Sequence, residues 1–359
     1  MDESQLPRYL FTWLGRLDIG SDFMKVLVIK LGALGDVVRM SYILKPLHVK
    51  YGPDLEITWI TLQSAFDLLR FDPYVDCLLV HERLKEPSVR ASLKKMHFDL
   101  VISWDDEVEA LAVLSEISYD RLIGAYLSGS QPIYSPDSSL WFDMGLISKH
   151  GKTVADDLKK KNTRTHTQIL ETVLDLKIEE PLFFGSTLAE RRASRLFGKA
   201  RSRKVGFQLT AGARWPSKEM PLDQAISLIE TCLEKACDCY LFGGEENRNY
   251  NEKIMQAIGR DRLTEVPSAG ILDLAGRIKC LDLLVCADTL ALHLAIAQLV
   301  PSVSFFSPTS AAEIDVFGRG VKIASTSPDY CSYRPDADNS SITFSRVWNG
   351  IKQLSGFSD

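Results

Sequence analysis

The sequence predicts an α/β protein made of two successive Rossmann-like, doubly wound parallel-sheet domains facing a central cleft. Short β-branched runs alternate with helix-length amphipathic segments, the pattern of parallel βαβ units. The alternation pauses near residues 180–200 and then restarts with a second strand of the same kind. The chain has 359 residues, enough for two domains of about 150 residues.

Strands are expected over Lys25–Lys30, Glu56–Thr61, Cys77–Val80 and Asp99–Ser103, where near-continuous apolar runs suit a sheet covered on both faces. Helical periodicity places helices over Asp36–Lys50, Ser64–Phe71, Ser88–Met96 and Asp106–Ile117. Residues Ser128–Lys161 are rich in Gly, Ser, Pro and Asp and end in the basic cluster Lys159–Lys161, so they read as a long loop or partly mobile lid. Helices over Arg164–Leu176 and Thr187–Ala200 follow. The second series runs through strand Lys204–Leu209, helix Leu222–Ala236, strand Cys239–Phe242, helix Asn247–Ile258, strand Leu281–Cys286, helix Ala291–Gln298, strand Ser302–Phe306 and strand Val321–Ala324. The expected division is an extension over 1–23, a first domain over 24–185, a second over 186–335, and a C-terminal helix or tail over 336–359 packing back toward the first domain. Within the extension, Leu6, Leu10, Trp13, Leu14 and Leu17 share one helical face, expected to dock on its own domain or a neighbouring subunit, with a membrane-surface helix as the alternative.

Composition narrows the function. With 45% hydrophobic and 25% charged residues and a net charge of −5, the chain can build full cores and lacks the basic balance of a nucleic-acid binder. No run of 18 apolar residues occurs, and the acidic start lacks the features of a secretion signal, so a cytoplasmic protein is expected, with at most peripheral association at the inner face of the membrane. The seven cysteines are an odd set in a long chain and read as free thiols; Cys237-Asp238-Cys239 lacks the second pair or histidine of a metal site.

Ligands of doubly wound sheets bind beyond the carboxyl ends of the strands, so the chemistry is sought there. The first strand runs into KLGALGDVV, where Gly32 and Gly35 allow a tight turn and Asp36 falls at a helix N-terminus. That position favours an ionised carboxylate, suited equally to capping the helix or to accepting a proton. It is neither a Walker loop nor a dinucleotide fingerprint, which weighs against an NAD enzyme. The second series opens with TAGARWPSK: Thr210, Gly212, Ala213, Arg214, Ser217 and Lys218 combine small residues, hydroxyls and cations into an expected diphosphate cradle. Gly243 precedes Glu245 and Glu246, either of which could accept ribose hydroxyls or complement a helix dipole. Asp288 and Thr289 lead into a helix carrying His293, and Pro308 and Thr309 follow the next strand.

These blocks together resemble the ADP-heptose:lipopolysaccharide heptosyltransferase family, glycosyltransferase family 9. The likeness covers roughly residues 24–335 and rests on LVIKLGALGDVV, AGARWPSKEMPL, LFGGEEN, DLAGRIKCLDLLVCADTLALHLA and PSVSFFSPTS in that order. It implies a GT-B fold with the acceptor on the first domain and an ADP-sugar on the second. It further implies Asp36 as general base, inversion at the anomeric carbon, Lys218 on the donor diphosphate, Glu245 or Glu246 on the adenosine ribose, and Asp288 and His293 beside the donor. The donor implied is ADP-heptose, with no obligatory metal or cofactor, and a homo-oligomer is admissible. The sequence departs from the family pattern at Leu290 and Ser307, where the family carries glycine, and at Ser103-Trp104-Asp105-Asp106-Glu107. Trp104, Asp105 and Asp106 are expected on the acceptor side with Gly32 and Gly35. Residues 24–180 hold 19 Lys+Arg against 23 Asp+Glu, a net of −4. A domain gripping an anionic lipopolysaccharide core is expected to be basic, so a small-molecule or protein acceptor stands beside the inner core. Another nucleotide sugar, or a non-catalytic relative, are the competing readings.

Overall fold

The computed structural model describes residues 23–198, 202–212 and 215–355. The expected N-terminal apolar helix, Ala213 and Arg214 lie outside the described residues. The chain divides into two compact units, at Phe184 and Gly185.

In the first unit, β1 (Lys25–Ile29) leads into α1 (Leu34–Ser41) and α2 (Leu44–Tyr51), then β2 (Glu56–Thr61), α3 (Phe66–Leu69), β3 (Cys77–Val80), α4 (Pro87–Lys94) and β4 (His97–Ser103). α5 (Val108–Ala112), β5 (Ser118–Ser128), β6 (Gln131–Tyr134), α6 (Ser139–Phe142), α7 (Lys152–Lys161) and α8 (His166–Leu174) complete it. The strand order is β3-β2-β1-β4-β5-β6, parallel throughout except that β6 runs antiparallel to β5. Val26, Leu27, Val28 and Ile29 are fully buried, as a strand covered on both faces requires.

The one helix expected over Asp36–Lys50 is two. Pro46 has no N–H to give the carbonyl of Tyr42, so the helix breaks at Tyr42–Ile43 and restarts. The helix expected over Asp106–Ile117 shortens to α5 and a 3₁₀ turn ending at Glu116. The expected loop over 128–161 instead contains β6, α6 and α7, anchored by the buried Ser138 and Phe142. β5 has no counterpart in the sequence reading, because Asp120, Arg121 and Gly124 interrupt its apolar pattern. Gly124 is required there: its φ is +115°, and a Cβ would sit 1.9 Å from the Ser103 carbonyl oxygen.

The second unit starts with α9 (Thr187–Phe197) and β7 (Lys204–Gln208), followed by α10 (Leu222–Glu234), β8 (Asp238–Leu241), α11 (Arg248–Ile258), β9 (Thr264–Glu265) and α12 (Ile271–Lys279). β10 (Leu283–Ala287), α13 (Leu290–Ala297), β11 (Ser302–Phe306), β12 (Gly320–Ala324) and α14 (Phe344–Ser355) end it. Its all-parallel order is β12-β11-β10-β7-β8-β9, so both sheets share the arrangement 3-2-1-4-5-6 when each is numbered from its own first strand. The expected C-terminal helix is present as α14. Val347, Trp348 and Ile351 join the second unit's own core with Val303 and Phe305 of β11, because that helix face is apolar and the sheet has a face to cover. Cys232, Cys237 and Cys239 lie in the same core as free thiols; burial is the main reason all three resist ionisation. Among the described residues, no helix is long and apolar enough to cross a membrane.

In a sheet of this order the chain leaves the first and fourth strands in opposite directions, opening a crevice at their carboxyl ends. In the first unit the crevice lies between β1 and β4, where Ile29 pairs with Ser103. In the second it lies between β7 and β10, where Gln208 pairs with Cys286.

Candidate active site

At the end of β1 the chain turns through Lys30 to Ala33 and enters α1. Gly32 and Gly35 do not supply a left-handed turn: neither has positive φ, and a Cβ on Gly32 would meet nothing closer than Leu62, at 3.7 Å. Asp105 holds the turn in place. Its buried carboxylate accepts the Leu31 N–H at 2.9 Å and the Lys30 ammonium at 3.2 Å through one oxygen, and the Asp106 N–H at 3.1 Å through the other.

Asp36 is the third residue of α1. The N-cap position belongs to Ala33, whose side chain has no acceptor for a cap bond. The Asp36 carboxylate instead accepts from the Arg39 guanidinium at 2.5 Å and borders a cavity of about 110 Å³ lined also by Lys30, Trp104, Asp106, Trp141, Phe142 and His166. The walls are aromatic: Trp104 lies 5.5 Å from Phe142 and 6.2 Å from Trp141 between ring centroids, and Trp141 meets His166 edge-on at 4.7 Å. The Trp104 indole N–H donates to His166 Nε2 at 3.0 Å, so the proton of the neutral imidazole sits on Nδ1. Burial pushes the Asp106 carboxyl up, and Asp105 adds to this, while Lys30 and Lys159 pull it down. The acids around the cavity therefore each have a cation: Arg39 for Asp36, Lys30 for Asp105, and Lys30 with Lys159 for Asp106.

In the second unit, the loop after β7 is fastened to the loop after β8 by Asn247, whose amide donates to the Ala211 carbonyl at 2.9 Å. Gly212 leaves room for Glu246: a Cβ there would lie 3.1 Å from a Glu246 carboxylate oxygen. Glu245, in the 3₁₀ turn before α11, is turned to Arg248 at the start of that helix, at 2.6 Å. Ser217 is not available as a phosphate donor, because its hydroxyl donates to the Arg334 carbonyl at 3.1 Å. Thr210, 1% exposed, has a hydroxyl with no hydrogen-bond partner among the described residues. The Lys218 ammonium donates to the Asp288 carboxylate at 2.9 Å and to its carbonyl at 2.8 Å, and lies over the Trp215 ring. His293, in the first turns of α13, brings Nε2 to 3.6 Å from the other Asp288 oxygen. Burial alone would raise the Asp288 carboxyl, but Lys218, His293 and the Thr309 hydroxyl outweigh it and hold it far below the usual carboxylate range. Thr289 occupies the N-cap position of α13 without capping it, and Leu290 is that helix's half-buried first residue. Gly243 follows β8, and Pro308 accepts the Tyr333 N–H at 2.8 Å through its carbonyl.

The sequence profile described as glycosyltransferase family 9 (heptosyltransferase) matches residues 88–340. The chain belongs to glycosyltransferase family 9. A curated relative, lipopolysaccharide heptosyltransferase 1 of Campylobacter coli, is 20% identical over 297 residues, covering 80% of this chain and 84% of that one. The family 9 glycosyl transferase structure from Veillonella parvula superposes with a TM-score of 0.71 at 15% identity, over 94% of this chain and 98% of that one. The E. coli heptosyltransferase WaaC, solved with ADP-2-deoxy-2-fluoro heptose, gives 0.60 at 15% identity, over 92% and 100% of the two chains.

For this family 9 glycosyltransferase, sequence reasoning missed Trp141, Phe142, His166, Arg39 and Asn247. His166 carried a signal: Thr165 and Gln168 form a capping box that fixes the start of α8 and so the direction of the ring beside it. Trp141 and Phe142 were hidden inside the segment read as a loop. The sole grouping of three His, Cys, Asp or Glu side chains spaced for a metal among the described residues is His97, Asp99 and Asp120, on β4 and β5; His97 and Asp99 open β4, whereas the cavity residues follow its other end.

Proposed function

We propose that this enzyme transfers heptose from ADP-heptose to a hydroxyl acceptor with inversion, using Asp36 as general base. One observation carries the reading: Asp36, at the third position of α1 and not its N-cap, borders an aromatic-walled cavity at the carboxyl edge of the first sheet. A sugar hydroxyl has a pKa far above 7 and is not ionised beforehand, so the carboxylate takes the proton as the C–O bond forms, help worth about 10²–10⁴ in rate. The acceptor oxygen attacks the anomeric carbon, the bond to the diphosphate breaks, and ADP leaves with the electron pair. Aromatic faces suit the C–H face of a sugar ring, and the polar groups of Lys30, Asp106 and the neutral His166 suit its hydroxyls.

On the donor side, Lys218 and the unpartnered Thr210 hydroxyl are assigned to the diphosphate, with the leaving charge stabilised by these donors. Glu246, rather than Glu245, is assigned to the adenosine ribose, and Asp288 and His293 to the donor side of Lys218. Trp104 and Asp106 are assigned to the acceptor, whereas Asp105 shapes the loop that holds them. The test incubates the protein with ADP-heptose and either heptose-deficient lipopolysaccharide core, a panel of small hydroxyl compounds or host-cell protein, and reads the products by mass spectrometry. A heptose-bearing product is expected. Protein that neither binds ADP nor consumes ADP-heptose with any of these would sink the reading, and tighter binding of UDP or GDP would move it to another nucleotide sugar.

A further inference from the structure

We propose that Arg39 is the positioning residue of the base: its guanidinium keeps the Asp36 carboxylate charged and fixes the direction it faces. The inference rests on the reading of Asp36 as the base. An i, i+3 ion pair on a helix surface is ordinary and weak, but this one is lopsided. The Arg39 side chain is 12% exposed and Asp36 39% exposed, so the cation is sunk beneath the carboxylate it serves. A guanidinium is withdrawn from water at a penalty that is tolerated where an anion meets it. The bond runs from Nη2 to one carboxylate oxygen, so it holds that oxygen on the Arg39 side of the helix and leaves the other toward the cavity edge. Val37, Val38 and Met40 are buried around it, so α1 holds both groups on a fixed frame.

The other charges near Asp36 do not duplicate this. Lys30, at the end of β1, is committed to Asp105 at 3.2 Å. Asp106 borders the same cavity and draws on Lys30 and Lys159 of α7. On α8, His166 accepts the Trp104 indole N–H and stands across the cavity. On α3, which packs against α1, Asp67 and Arg70 form their own pair at 3.3 Å.

The experiment follows ADP release from ADP-heptose across pH, with heptose-deficient lipopolysaccharide core as acceptor, or with water alone if that core is not used. Arg39→Met should move the acidic limb of kcat/KM up by about one pH unit and lower kcat at least tenfold, since a neighbouring arginine lowers a carboxyl pKa by roughly one to three units. Arg39→Lys keeps the charge but sets the donor on a shorter, rotatable ammonium, so its acidic limb should stay in place while kcat falls less. A residue that only packs would not move that limb. If Arg39→Met does not fold, Arg39→Gln must show the shift, and Arg39→Lys with a full rate overturns the orienting role by itself. An unmoved limb in folded, uncharged variants, with Asp36→Asn inactive, overturns the inference and leaves the base reading standing. An active Asp36→Asn overturns both.

Discussion

The ammonium of Lys218 gives two of its three N–H groups to one residue, Asp288, through both the carboxylate and the backbone carbonyl. Both side chains are about nine-tenths buried, at 11% and 12% exposure. The pair therefore fixes the lysine before any ligand arrives, with one N–H remaining for an incoming anion. It also joins the loop after β7 to the end of β10, across the switch point of the second sheet.

Removing Lys218 should thus do two separable things. Lys218→Ala strips the partner from a buried carboxylate, which typically destabilises by about 3–5 kcal/mol, and it removes a cation assigned to the diphosphate. ADP affinity by calorimetry should fall at least tenfold, and the thermal midpoint should drop by several degrees. In Lys218→Met combined with Asp288→Asn, the midpoint should recover and the ADP affinity should not. Recovery of both would return Lys218 to a purely structural role.

Asp36→Asn should lower turnover by two or more orders of magnitude while ADP affinity stays within twofold. The same change weakens the counter-charge of a nearly buried Arg39, at about 1–2 kcal/mol for a hydrogen bond to a charged group. A loss of rate could then be mistaken for a loss of fold. The double variant Asp36→Asn with Arg39→Gln separates them: its melting temperature should rise back toward wild type while its rate stays low. A rate that recovers along with stability would remove Asp36 from the chemistry.

These two pairs show where the sequence was legible and where it was not. The parallel strands announced themselves because a strand buried on both faces must be apolar at every position, as Val26 to Ile29 are. The loops KLGALGD and TAGARWPSK stood out because small and charged residues directly after such strands have few structural uses. β5 stayed hidden because it is half exposed and needs a glycine where its backbone crosses Ser103. Partners far apart in the chain were equally hidden: Lys218 and Asp288 are 70 residues apart, and Trp104 and His166 are 62 apart. Local pattern lists candidate groups on strand ends; it does not say which of two neighbouring acids faces the adjacent loop.

Glu245 and Glu246 are that case. Glu245 is drawn to Arg248 at the start of α11, whereas the Glu246 carboxylate lies against Gly212 after β7. Glu246→Ala should weaken ADP binding about tenfold, the scale of one hydrogen-bonding carboxylate, and Glu245→Ala should change it less than twofold. The loss in Glu246→Ala should shrink when ADP is replaced by an analogue lacking the ribose hydroxyls. Equal effects in the two alanine variants would show that neither acid is singled out.

Asp72 offers a test of the first unit's stability that does not involve catalysis. It lies in the turn between α3 and β3, 5% exposed, and its carboxylate accepts the Tyr74 N–H at 2.9 Å. Burial pushes its carboxyl up to about 7 despite that bond. The folded protein therefore binds a proton that the unfolded chain, with a carboxyl near 3.9, releases between about pH 4 and 7. The stability this proton contributes is fully present below about pH 4 and is lost as pH rises through 7, after which the curve is flat in this group. The full difference is about 4 kcal/mol at roughly 1.4 kcal/mol per unit. Asp72→Asn keeps the acceptor for Tyr74 and removes the charge. Urea unfolding at pH 8 should find the variant more stable than wild type by up to that amount, and at pH 4 nearly equal to it. A variant no more stable at pH 8, or one that shifts the curve equally at every pH, would mean that Asp72 is wetter than its place in the turn allows.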